Sequence, residues 1–171
     1  MIKTTFGAIA ILALLGGCSE RQPALIGGST GAGGVAPGAP MAGAAVPGSE
    51  QDLVQNVGDR VFFAFDKSSV SPEAQATLDR QAEWLNHTPA TQVQIAGNCD
   101  DRGTEEYNLA LGQRRANAAR DYLVARGVSS ARINTISFGK DRPIALGDNE
   151  QAWAQNRNAI TSVQNANISM R

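Results

Sequence analysis

Apolar residues change their spacing several times along this chain, and each change marks a different element. An unbroken apolar run, Phe6 to Leu15, follows a single basic residue, Lys3. From Ser19 to about Glu50 no period survives. RVFFAF (60–65) is then short, apolar and aromatic, which predicts a strand. Ser71-Pro72-Glu73 supplies a capping hydroxyl, a first-turn proline and a first-turn acid. Ala74, Leu78, Ala82 and Leu85 continue at helical spacing until His87-Thr88-Pro89 stops the helix. QVQIA (92–96) alternates, with Val93 and Ile95 on one face, a second strand. A second helix runs from about Glu105 to Arg126 and ends at Gly127. INTISF (133–138) is a third strand, a short helix covers about Ala152 to Asn156, and Ala159 to Val163 is the last strand. The order β-α-β-α-β-(α)-β predicts an α+β fold, a two-layer sandwich of one small mixed sheet and its helices, over residues 56–171. The tail after Gln164 carries no pattern.

The N-terminal run is too short to span a bilayer and has the length of a signal-peptide core. It ends in Leu15-Gly16-Gly17-Cys18, a large aliphatic residue, two small ones and a cysteine, the pattern of a bacterial lipobox. This predicts a signal peptide over 1–17 and a lipidated Cys18 carrying an S-diacylglycerol and an N-palmitoyl chain. Several acyl chains together anchor durably where one does not. Ser19, where an Asp would signal inner-membrane retention, points to the outer membrane. Residues 18–55 are then a tether of Gly, Ala, Pro and Ser that cannot bury enough apolar surface to order itself. Its r.m.s. reach is roughly 30 Å.

Fifteen basic and sixteen acidic residues leave a net charge of -1, which argues against nucleic-acid binding by bulk electrostatics. Cys18 and Cys99 are far apart, and nothing in their spacing supports a disulfide. The only histidine, His87, has no ligand spacing to Cys99 or to the acids, so no metal site is expected. Cys99 lacks an adjacent base and reads as a buried thiol. Adjacent Asp100 and Asp101 point to opposite sides of an extended chain, unlike a glycosidase pair. No catalysis is expected. Trp84 reads as core, Trp153 as core or rim, and Arg60, Lys67 and Arg80 as surface charges.

Charge concentrates in NCDDRGTEEYNLALGQRRA (98–116). Glu105 and Glu106 suit a helix N-terminus, with Thr104 as cap. On a helical wheel Leu111, Gly112, Ala116, Ala118, Ala119, Tyr122 and Leu123 form an apolar half. Gln113, Asn117, Arg120 and Asp121 form the wet side. Arg115 falls in the apolar half, where a guanidinium must find an anion or water. The nearest acids are Asp100 and Asp101, on the loop entering the helix. Two readings stay open. Asp100 and Arg115 form a structural bridge in a lipid-anchored protein-docking module, or they form a two-ended clamp for an ammonium and a carboxylate.

GNCDDRGTEEYNLALGQRRANAARDYL (97–123), with FAFD (63–66), SFGKDRPIALG (137–147) and AQNRNAI (154–160), closely resembles the OmpA-like peptidoglycan-binding domain family over roughly residues 57–163. The resemblance implies an outer-membrane lipoprotein, its domain in the periplasm, that binds the diaminopimelate of peptidoglycan non-covalently through Asp100 and Arg115. It places Phe65, Asp66, Cys99, Asp101 and Gly103 at the pocket, with Arg157 supporting it. It also implies partnership with TolB and other components of the Tol-Pal system in envelope integrity and in outer-membrane invagination at cell division, with wall and TolB excluding one another. Two positions depart from the family pattern: Asn98 replaces a histidine and Asn158 an arginine.

Overall fold

β2 (Gln92–Asn98) is the strand around which the other elements are arranged. Its inward residues Val93 and Ile95 are fully buried. The structure, a computed structural model, describes residues 45–164, so the signal peptide, Cys18, most of the tether and the tail after Gln164 lie outside the described residues. β2 pairs in parallel with β3 (Ile133–Gly139) and antiparallel with β4 (Asn158–Gln164). β4 pairs antiparallel with β1 (Arg60–Phe62), giving a mixed sheet of order β1-β4-β2-β3. A parallel neighbour needs a crossover, and α3 (Glu105–Ala125) supplies it between β2 and β3. With α2 (Pro72–His87), α3 covers one face of the sheet. Val61, Phe63, Leu78, Leu85, Val93, Ile95, Leu123 and Ile133 fill the space between the layers. The α+β two-layer sandwich is therefore the fold.

The helix starts follow from their caps. Ser71 Oγ accepts from the Ala74 amide at 3.2 Å, and Thr104 Oγ1 from the Tyr107 amide at 3.3 Å. Asn149 Oδ1 does the same for Ala152 at the start of α4 (Glu150–Asn156), at 3.0 Å.

Several expectations need correction. The packed unit begins before residue 56. Glu50–Asp52 form a short helix, α1, followed by a π-helical turn over Leu53–Val57. Leu53 is fully buried, Trp84 Nε1 donates to Asp52 at 2.7 Å, and Thr91 Oγ1 donates to the Gly48 carbonyl. β1 stops at Phe62 rather than Phe65 because arginine side chains take the carbonyls that would extend its ladder: Arg157 Nε that of Phe63, Arg115 Nη2 that of Ala64. β2 extends two residues beyond Ala96, to Asn98. Gln113 and Asn117 are not on the wet side of α3. They are half-buried against β3, where Gln113 Nε2 and Asn117 Oδ1 both bond Thr135 Oγ1. Arg80 is exposed, as expected of a surface charge, and its Nε also donates to the Val57 carbonyl at 3.0 Å.

α3 lies unusually close to β2. A Cβ built on Gly97 would stand 1.8 Å from the Gly112 carbonyl oxygen, and one on Gly112 2.7 Å from that of Gly97. Only two glycines in register allow this approach. It sets Arg115, less than one turn beyond Gly112, against the end of β2.

Candidate functional site

Where β2 ends, its last residues feed a loop, Cys99 to Thr104, that enters α3. The loop, the first turns of α3, the turn after β1 and the start of β4 enclose a cleft of about 220 Å³. Phe65, Asp66, Cys99, Asp100, Gly103, Arg115 and Arg157 all line it, together with Arg102, Tyr107, Asn108 and Leu111. Of the residues expected at the pocket, Asp101 alone does not line it. Its side chain is exposed, and its carbonyl lies within 3.5 Å of Lys140 Nζ outside the cleft.

Arg115 is fully buried. It donates to three backbone carbonyls: Nη1 to Asn98 at 2.8 Å, Nε to Lys67 at 2.9 Å and Nη2 to Ala64 at 3.2 Å. A guanidinium has five N–H donors, so two remain after these three bonds. None of its partners is a carboxylate. Burial pushes its pKa below the ordinary guanidinium value, yet an arginine so placed stays charged at neutral pH. The fork thus ties the turn after β1 to the end of β2 and brings uncompensated positive charge to the cleft wall.

Asp100 is also buried, at 4% exposure, and it does not bond Arg115. The structural bridge, one of the two readings left open, is absent among the described residues. Arg102 Nη2 donates to Asp100 Oδ2 at 2.5 Å and Arg157 Nη1 at 3.3 Å. Arg157 is itself buried and held by the Phe63 carbonyl and by Glu150 Oε1 at 2.6 Å. Burial alone would raise the Asp100 pKa; the hydrogen bonds from Arg102 and Arg157 outweigh it, and the carboxyl is held below its ordinary value. Stability contributed by a carboxylate of this kind is present above its unfolded pKa and is lost as pH falls through the lower folded one. Thermal melts of the wild type and of Asp100→Asn should therefore differ most at neutral pH. The two curves should converge below about pH 4. Curves that stay parallel throughout would mean that Asp100 is not ionised in the fold.

The rest of the lining is neutral or fixed. Cys99 Sγ donates to the Asn108 carbonyl at 3.3 Å, and burial raises its pKa, so it is an unreactive thiol. Tyr107 Oη donates to Asp66 Oδ1 across the rim. Asp66 adopts a positive φ of 56°, which turns the chain at that rim. The two departures from the family pattern meet each other: Asn98 Nδ2 donates to Asn158 Oδ1 at 2.7 Å behind the site. Together they form one neutral, buried amide pair.

Sequence reasoning missed Arg102, Tyr107 and Glu150. Arg102 sits between the rings of Phe65 and Trp153, 4.1 Å from the centroid of each. Its place within the densest charge cluster of the chain was the available signal; its aromatic partners, 37 and 51 residues away in number, gave none. Trp153 is thereby a rim residue.

The OmpA family model matches residues 62–157, more than half of the chain. Over 160 residues the chain is 48% identical to the peptidoglycan-associated lipoprotein of Mesorhizobium japonicum, covering 92% of this chain and 91% of that protein. It is 58% identical over 120 residues to the peptidoglycan-associated lipoprotein of Rhizobium meliloti, covering 70% and 68%. The crystal structure of the peptidoglycan-associated lipoprotein from Burkholderia pseudomallei superposes with a TM-score of 0.61 at 47% identity, over 62% of this chain and 90% of that one. These proteins are named for an association and a lipid, not for a reaction. Sequence and fold agree with them, and the chain belongs to the OmpA family.

Proposed function

We propose that this protein is a non-catalytic outer-membrane lipoprotein that grips peptidoglycan through the diaminopimelate of its stem peptide. Cys18 carries the lipid, the tether spans the gap, and the domain faces the periplasm. The observation that carries the reading is a buried acid and a buried arginine on one cleft, unpaired with each other. Asp100 receives the ligand's ammonium. Arg115 offers its two remaining N–H groups to the adjacent carboxylate in a planar fork. Relatives named as peptidoglycan-associated lipoproteins support the ligand class. In the cell the same protein works with TolB and the Tol-Pal system in envelope integrity and division, and wall and TolB exclude one another. Each grip can be weak, because many copies on one wall act together.

The test is titration of the protein with two stem-peptide fragments, one carrying diaminopimelate and one carrying lysine, which lacks the second carboxylate. The diaminopimelate fragment should bind at least about tenfold more tightly, the equivalent of one charge-assisted hydrogen bond. Asp100→Asn should abolish that binding. Equal affinity for the two fragments would refute the clamp.

A further inference from the structure

The position at Asp100 that an incoming ammonium needs is already held by a cation. Arg102 Nη2 lies 2.5 Å from Asp100 Oδ2, and its Nη1 lies 3.9 Å from Glu150 Oε2. Its guanidinium is stacked between Phe65 and Trp153, the arrangement in which aromatic faces hold cations. Two carboxylates, Asp100 and Glu150, therefore meet two guanidiniums, Arg102 and Arg157, before any ligand arrives. A further cation cannot be added there without loss unless one guanidinium leaves.

Only one of the two can leave cheaply. Arg157 is 7% exposed at its side chain and is tied to the Phe63 carbonyl and to Glu150. The Arg102 side chain is 32% exposed. Its Nε is buried with no hydrogen-bond partner, so its seating is incomplete, and the Trp153 Nε1 beside it is unpartnered too. Gly103, at a φ of 91°, follows it directly in the loop.

We propose that Arg102 is a resident competitor for Asp100: a ligand binds by displacing it from the slot between Phe65 and Trp153, so the cleft admits only ligands that bring their own cation. This rests on the reading of the cleft as a clamp for an ammonium and a carboxylate. A ligand with carboxylates alone offers Asp100 no cation in exchange, so Arg102 stays seated and keeps it out of the cleft. Arg102 is thus a specificity-determining residue, and it weakens the ligands it admits by the fraction of time it fills the site.

The experiment compares the full-length wild type and Arg102→Gln, both in detergent. Each is titrated with the diaminopimelate tripeptide of the stem and with the same tripeptide lacking the side-chain amine. Arg102→Gln should bind the amine-bearing tripeptide about tenfold more tightly, as removal of a competitor that fills nine-tenths of sites predicts. It should also bind the tripeptide that lacks the amine, which the wild type refuses. On the wild type alone, indole emission should change during titration as the guanidinium leaves Trp153; Trp84 lies on α2, bonded to Asp52, and serves as a constant background. Equal or weaker binding by folded Arg102→Gln, or unchanged emission at saturation, overturns the proposal while leaving the clamp standing. Failure of the wild type to bind either tripeptide overturns the clamp and this proposal together.

Discussion

Exchanging Arg115 for alanine should abolish ligand binding and also remove at least about 3 kcal/mol of stability. Both losses come from one side chain because it serves two purposes at once. Its guanidinium is the partner of the Lys67, Asn98 and Ala64 carbonyls. Removing it leaves those acceptors buried or wet and opens a hole beneath the Phe63 ring, whose centroid lies 5.3 Å from the guanidinium carbon. Arg115→Lys separates the purposes. It keeps the charge, but a single ammonium cannot reach three diverging carbonyls and a ligand carboxylate together. Its stability should fall less than that of Arg115→Ala, and its affinity should still drop at least about tenfold. Urea unfolding and calorimetric titration read the two effects. Wild-type affinity in a folded Arg115→Ala protein would remove Arg115 from the site altogether.

The second large effect lies away from the cleft. Gly97→Ala should cost about 3 kcal/mol or more, and lower Tm by some 10–20 °C. The added methyl would stand 1.8 Å from the Gly112 oxygen and 2.6 Å from its carbonyl carbon. Both atoms belong to helix backbone, so no side chain can swing aside; α3 as a whole must lift from β2. Gly112→Ala should be milder, since its closest neighbour is the Ser137 hydroxyl at 2.3 Å, a group that can rotate. Ser137→Gly should restore part of the Gly112→Ala loss and none of the Gly97→Ala loss. A Gly97→Ala protein with unchanged Tm would mean that the helix is free to move. In that case Arg115 would not be held at a fixed distance from β2.

The elements that sequence pattern placed well are those whose reasons are local. Ser71 caps its own helix, Val93 and Ile95 alternate on their own strand, and Arg115 is conspicuous because it breaks its own helix face. The misplacements have distant causes. β1 ends early because arginines 51 and 94 positions away claim the Ala64 and Phe63 carbonyls. Leu53 belongs to the core, but Leu53, Val54 and Val57 make too short an apolar group to establish a period at the end of the Gly/Pro-rich tether. Gln113 and Asn117 read as solvent-facing because Thr135, the polar strand residue that receives them, is over twenty residues from one and eighteen from the other. At the site, the acid and the arginine could be identified but their partners could not. Of the two readings left open for Asp100, neither named Arg102 or Arg157, which are the partners it meets, and the aromatic slot depends on Trp153, whose helix packs there only in three dimensions.

The chain enters the domain at one end of the sheet and the cleft lies at the other. Gly48 is fastened to Thr91, just before β2 begins, whereas Asp100 follows its last residue. Seven strand residues put about 20 Å between these points. A pull between a membrane and a wall would therefore run along the strands. Hydrogen bonds across β1–β4 and β4–β2 would be strained together in shear, which resists far better than opening them one at a time. The first part to yield would be the 46–57 segment, held by the bonds from Thr91 to Gly48, Trp84 to Asp52 and Val163 to Glu50 and by buried Leu53. Peeling it releases about a dozen residues, roughly 40 Å of extended chain, without disturbing the cleft. The segment would serve as a fuse: it lengthens the connection under tension before the grip itself is threatened.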